Sequence, residues 1–238
     1  MNYRISIIFL FALITGLLSC KNKDYPLPVS PPTYLNVVNA TADTLDYAIN
    51  FTRQNNASDI YPGGATYYLS VISGAQKYQF KKAGSPNVLF TTTYTLDTGT
   101  NKYYSIFIGG ESADKTFLTV DNINQASAVL ATDATNTTAA VRFVNASPTI
   151  GSLNFVINQG DTVNIKNSAF ESVSPFMLAK AALNEIKVYQ AGSSTAIVDT
   201  TFTFQQDVIY TVFTKGVLNG KGNSAFSAVL LNTGTNNQ

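Results

Sequence analysis

Few side chains in this chain can do chemistry. Its 238 residues hold one cysteine, no histidine and no tryptophan. Cys20 ends the stretch Leu17-Leu18-Ser19-Cys20, and its thiol is the one soft nucleophile available. Without histidine, neither a Ser-His-Asp nor a Cys-His nucleophilic site can be built. Zinc sites made of histidine and cysteine are excluded for the same reason. Acids are sparse. Asp43 and Asp46 stand three apart and could lend oxygens to calcium. Calcium wants six to eight oxygens, however, and the matching stretch Thr149-Ile150-Gly151 with Asn154 has no carboxylate. No acidic pair stands out for glycoside hydrolysis. The residues therefore point away from an enzyme, and they imply no cofactor and no metal.

The elements around Cys20 say what its thiol is for. A basic start, Met1-Asn2-Tyr3-Arg4, leads into an apolar run from Ile5 to Leu18 and a small-residue end. That order makes residues 1–19 a secretory signal peptide. The run is short of the roughly 20 apolar residues that span a bilayer. Leu17 to Cys20 resemble a bacterial lipobox, after which the cysteine is acylated and becomes the new N-terminus. Each buried methylene of an acyl chain contributes roughly 0.8 kcal/mol, so two or three chains at Cys20 anchor the protein durably. Residues 20–32, polar and then rich in proline (Tyr25-Pro26-Leu27-Pro28-Val29-Ser30-Pro31-Pro32), read as an extended tether. The expected address is the outer membrane, with the membrane as partner through the lipid at Cys20. The stretch Lys21-Asn22-Lys23-Asp24 has a single acid and leaves the periplasmic and outer faces both open.

Composition narrows the partners. Loss of residues 1–19 removes Arg4, leaving 14 basic residues of the original 15 against 14 acids. A neutral chain has no basic stripe for nucleic acid. Only 12% of residues are charged, which suits an exported β protein. Since the one cysteine is spent on lipid, no disulfide forms within the mature chain, and its stability rests on apolar cores.

A repeat organises the rest. Leu35-Asn36-Val37-Val38-Asn39-Ala40-Thr41 returns as Val141-Arg142-Phe143-Val144-Asn145-Ala146-Ser147, 106 residues later. Leu45-Asp46-Tyr47-Ala48-Ile49-Asn50 returns as Leu153-Asn154-Phe155-Val156-Ile157-Asn158, and Thr92 to Leu96 as Thr200 to Phe204, each 108 later. Tyr104-Ser105-Ile106-Phe107 returns as Tyr210-Thr211-Val212-Phe213. A period this long denotes whole domains in tandem, not a solenoid. The units are residues 33–130 and 139–238, joined by a linker at 131–138 that lacks large apolar residues. Inside each unit, apolar residues alternate over short segments (Leu45, Tyr47, Ile49; Leu153, Phe155, Ile157) between turn residues such as Ala83-Gly84-Ser85-Pro86. About seven strands per unit are expected, making an all-β chain of two antiparallel sandwiches.

The second unit also resembles a family. Val-Arg-Phe-Val-Asn-Ala-Ser-Pro at 141–148, Leu-Asn-Phe-Val-Ile-Asn at 153–158, Ser-Val-Ser-Pro-Phe at 172–176 and Tyr-Thr-Val-Phe at 210–213 look like DUF 4397. The first unit keeps Val38-Asn39-Ala40 and Leu45-Asp46-Tyr47, with Thr41-Ala42 where the family shows Ser-Pro. The resemblance implies an Ig-like or transthyretin-like sandwich and no activity. Tandem copies behind a lipobox are similar to lipoproteins of Bacteroidota.

Several positions read as structural devices. Asn39-Ala40-Thr41 and Asn145-Ala146-Ser147 satisfy the glycosylation sequon, but Asn39 and Asn145 are better explained by side chains that bond local backbone at a strand end. Tyr104 and Tyr210 each open a strand after a polar turn and suit a tyrosine corner. The pairs Tyr67-Tyr68 and Tyr103-Tyr104 each place one ring toward a core and one outward if they lie in strands; outward rings can stack on sugars or on a partner. Asp43-Thr44-Leu45, Asp161-Thr162-Val163 and Asp199-Thr200-Thr201 resemble O-glycosylation sites of Bacteroidota. The expected function is a non-catalytic envelope lipoprotein that binds or displays a glycan or an envelope protein. The alternative is an accessory subunit of an outer-membrane assembly without a ligand of its own. An aromatic or polar patch present in one unit and missing from the other favours the first.

Overall fold

The computed structural model describes residues 33–54, 59–97, 102–158 and 163–235. Cys20, the signal segment and the tether lie outside them. The described residues form two β-sandwich units of the same plan. In the first, one sheet contains β1 (Thr33–Asn39), β4 (Leu69–Val71), β7 (Lys102–Ile108) and β8 (Thr116–Val120). Its order is β4-β1-β7-β8. The facing sheet contains β2 (Leu45–Ile49), β3 (Thr52–Arg53), β5 (Gly74–Lys82) and β6 (Val88–Leu96), in the order β3-β2-β5-β6.

The second unit uses β9 (Thr138–Val144), β10 (Leu153–Ile157), β11 (Val163–Ser168) and β12 (Met177–Lys180). It continues with β13 (Leu183–Gln190), β14 (Ala196–Thr203), β15 (Val208–Lys215) and β16 (Ser227–Thr235). Its sheets run β12-β9-β15-β16 and β11-β10-β13-β14, so adding eight to each strand of the first unit gives the second. Each described unit thus has eight strands where about seven were expected. The extra strands are short ones such as Thr52–Arg53, too brief to show alternation. The ladders are antiparallel except one pair per unit: β1 lies parallel to β7, and β9 to β15.

Alternation sorts the side chains as the pleat requires. Leu35, Val37, Tyr47, Phe80 and Ile106 fill the first core. Val141, Phe143, Phe155, Val188 and Val212 fill the second. Gly84 and Gly192 sit at φ +74° and +83° in the matching hairpins, with open space where a Cβ would go. Glycine is needed there for its backbone angle alone.

β1, β7, β9 and β15 are largely buried on both faces. Val38, Ala40, Phe107 and Phe117 of the first unit meet Val144, Ala146, Phe213 and Leu231 of the second in a further buried layer. Burying rings such as Phe107 and Phe213 contributes roughly 1.5–3 kcal/mol each. Between the units, α1 (Ile123–Leu130) lays Ile123, Ala126 and Leu130 on Ala140, Ile209 and Phe176 of the second unit. Residues 123–130, read from the sequence as the end of the first unit, therefore cover the second unit's sheet. The linker turn that follows is held by the Asp133 carboxylate, which accepts from Thr135 Oγ1 at 2.6 Å, Thr137 N at 2.7 Å and Thr138 Oγ1 at 2.8 Å.

Candidate functional site

The outward face of β1 and β7 carries two features, a buried ion pair and an open groove. Asp121 leaves the end of β8, and Arg142 stands on β9 with its side chain turned away from the second core. Their side chains are 0% and 2% exposed, and Arg142 Nη2 lies 2.6 Å from Asp121 Oδ1. Arg142 Nε donates to Thr211 Oγ1 at 2.9 Å, and its guanidinium lies over the Phe176 ring at 5.1 Å. Asp121 also accepts from Ser105 Oγ at 2.5 Å, Thr119 Oγ1 at 2.8 Å and the Tyr68 hydroxyl at 2.7 Å. A buried charge survives when it is paired and its remaining lone pairs are bonded. Both conditions hold here, across the boundary between the units. Burial, and then the Asp121 charge, push the Tyr68 hydroxyl well above its ordinary range, so it stays a donor.

That bond fixes one wall of the groove. Tyr34 and Tyr103 stack at 4.9 Å and 15°, and Tyr68 stands edge-on to Tyr103 at 5.0 Å and 77°. Tyr67 completes the wall and is 65% exposed. The opposite wall is the end of β16, Asn232 to Thr235, and the buried Asn36 also lines the space. The cavity measures about 670 Å³, within the ~300–1,000 Å³ common for ligand sites. Its lining has no Lys, Arg, Asp or Glu.

The pair Tyr67-Tyr68 departs from the strand expectation. β4 begins only at Leu69, and Tyr67 takes φ +58°. A positive φ breaks the in-out alternation, so both rings reach the groove instead of one entering the core. Tyr103-Tyr104 does alternate: Tyr104 is in the first core and Tyr103 faces the groove.

The second unit shows what this face looks like when it is filled. Register places Tyr34 beside Tyr103 on β1–β7, and Ala140 beside Ile209 on β9–β15. Leu69 pairs with Leu35 and Met177 with Val141, so Phe176 stands where Tyr68 stands. In the second unit α1 covers these positions. In the first unit Tyr34, Tyr103 and Tyr68 stand in place of Ala140, Ile209 and Phe176, and only Tyr103 among them packs against the α1 cluster, at its edge.

The other expected positions are saturated. Asn39 donates to the carbonyls of Asp43 at 2.7 Å and Ile60 at 2.8 Å, and accepts from Thr41 N and Oγ1. Asn145 donates to Gly151 O and Ser168 O and accepts from Ser147 N and Thr214 Oγ1. Both are fully buried, and their amide nitrogens are committed. The Tyr104 hydroxyl accepts from Asp97 N at 3.2 Å, and that of Tyr210 from Gln205 N at 3.1 Å. Asp43 pairs with Lys82, which bonds it at 2.8 Å and holds its carboxyl below the usual range. Asp46 pairs with Arg53 at 2.6 Å. Among the described residues no group of three or more metal-ligating side chains lies together. Asp161-Thr162 lies outside the described residues.

Asp121, Arg142, Tyr34 and Asn36 were not singled out in the sequence. Arg142 did leave a signal: a charge inside Val141-Arg142-Phe143-Val144, a run apolar enough to be buried on both faces, demands a buried partner.

Residues 139–238 match the family model DUF4397, described as a domain of unknown function. No curated protein matches the chain. A solved structure that aligns is the crystal structure of CBMbc, family CBM26, from Eubacterium rectale Amy13K in complex with maltoheptaose. It is 9% identical, covers 85% of this chain and 97% of its own, and has a TM-score of 0.26. Nothing about its ligand transfers at that score.

Proposed function

We propose that this chain, whose residues 139–238 match the DUF4397 family model, is a non-catalytic envelope module, lipid-anchored at Cys20 in the outer membrane, that binds its ligand in the tyrosine groove of the first unit. One observation carries the reading. The same face is closed by α1 in the second unit and is open and lined by four tyrosines in the first. A duplicated face that keeps its place and changes its lining to aromatic rings, Tyr67 exposed and Tyr34, Tyr68 and Tyr103 half-buried, is a surface for recognition. The lipobox-like Leu17 to Cys20 and the polar, proline-rich stretch after it support the address.

The test places a photo-crosslinker at Tyr67 in living cells. We expect a crosslinked species that disappears with Tyr34→Ala, and none from a crosslinker at Tyr61, which is 66% exposed and outside the groove. Equal capture at both positions, or none at Tyr67, refutes the groove. Labelling with a palmitate analogue, lost in Cys20→Ser, tests the anchor. Protease on intact cells, against lysed cells, assigns the side of the membrane.

A second reading, an accessory subunit without a ligand, is favoured by Leu69 in edge strand β4 and Ile72 just after it, 41% and 81% exposed. An exposed apolar edge invites pairing with another chain. A crosslinker at Ile72 that captures a protein, with none captured from Tyr67, favours this reading.

A further inference from the structure

We infer that the ligand of the groove is an uncharged oligosaccharide; this rests on the groove being the binding site. Three observations carry it. The lining holds no Lys, Arg, Asp or Glu and so carries no charge at neutral pH, and no charge on a ligand would find a counter-charge there. Anionic glycans, phosphates and acidic or basic peptides are thereby disfavoured.

Second, the rings form a corner. Tyr34 and Tyr103 are near parallel, while Tyr68 is close to perpendicular to Tyr103. Tyr68 cannot swing away freely, since its hydroxyl is held by Asp121. Sugar rings present apolar C–H faces and hydroxyl edges, and a corner of rings can meet a face while polar groups meet the edges. The hydroxyls of Tyr34, Tyr67 and Tyr103 line the groove and can donate to or accept from those edges.

Third, a buried amide has capacity to spare. Asn36 is 2% exposed and lines the groove. Its described bonds, to Ser105 Oγ and from Thr66 Oγ1, are both stretched to 3.5 Å. A buried amide with two weak bonds wants further partners, and ligand hydroxyls can supply both a donor and an acceptor. Its counterpart in register is Arg142, whose hydrogen bonds are short and internal. The second unit thus spends this position on holding the units together, and the first leaves it to a ligand. An apolar helix, the occupant of the second unit's face, would bury the tyrosine hydroxyls and Asn36 unbonded.

The experiment titrates the full-length chain in detergent micelles by calorimetry. The probes are cellohexaose, mannohexaose and xylohexaose, with oligogalacturonate as the charged control. We expect at least one neutral oligosaccharide to bind and oligogalacturonate to bind weakest. Tyr67→Ala, at an exposed position, should weaken binding about tenfold, the equivalent of one stacking contact. Asn36→Leu should abolish it, with thermal unfolding as the control for folding. Tyr34→Phe, which keeps the ring, should bind more tightly than Tyr34→Ala. No binding by any neutral probe at millimolar concentration, or affinities unchanged by Tyr67→Ala, overturns the inference. The groove reading fails separately: crosslinking at Tyr67 to a protein, with no sugar bound in calorimetry, keeps the groove and removes the oligosaccharide.

Discussion

Replacing Arg142 by methionine should destabilise the chain more than any other single change between the units. Methionine keeps the length of the stem and its packing on Phe176 but leaves Asp121 without its cation. The Asp121 side chain is fully buried, so water cannot replace the lost partner. Three neutral donors would remain, from Ser105, Thr119 and Tyr68. Removing one partner of a buried pair costs about 3–5 kcal/mol, and Thr211 loses a charged donor as well. Those donors soften the penalty, and we place the loss at about 3 kcal/mol. The assay is urea unfolding at neutral pH, read by tyrosine fluorescence and by circular dichroism. The partner experiment is Arg142→Met with Asp121→Leu. Replacing both charges removes the stranded carboxylate, so most of the loss should return. A single substitution costing under ~1 kcal/mol, or a double variant no better than the single, would refute the view that Asp121 is a buried charge held by Arg142.

Other outcomes are equally specific. Asn145→Ala removes four hydrogen bonds at a fully buried position and should cost about 3 kcal/mol in urea unfolding. Tyr210→Phe strands the Gln205 N–H and should cost about 1 kcal/mol, whereas Tyr78→Phe should be neutral or stabilising. The Tyr78 hydroxyl is buried and has no partner among the described residues. In alkali, burial pushes the Tyr47 hydroxyl up to about 12 from 10.0. The unfolded state then releases this proton first, so the stability it contributes is complete below pH 10 and is lost as pH rises toward 12. Spectroscopic titration should show exposed tyrosines ionising before the loss of structure and Tyr47 only with it.

The sequence by itself determined the all-β sandwich plan and the alternating residues of the cores, because these depend on local patterns. Tyr47 and Ile49 alternate, Gly84 and Gly192 mark matching hairpins, and Asn39 and Asn145 recur at one place in the repeat. Each of these needs only the period of the pleat or the backbone angle of a turn. The lipid-anchor reading of Cys20 is local in the same way, and Cys20 lies outside the described residues.

The groove and the ion pair were decided by tertiary structure. Asp121 and Arg142 belong to different units, and no local pattern links them. Tyr34, Tyr68 and Tyr103 come from separate segments, joined by the parallel pairing of β1 with β7 and by the approach to β4. Tyr67-Tyr68 misled the alternation rule because a single positive φ redirected both rings. Above all, β1 and β9 read as equivalent strands, yet one face is open and the other lies under α1. Which surface stays available depends on where a third segment packs, a long-range choice made by burial and not by the local sequence of either strand.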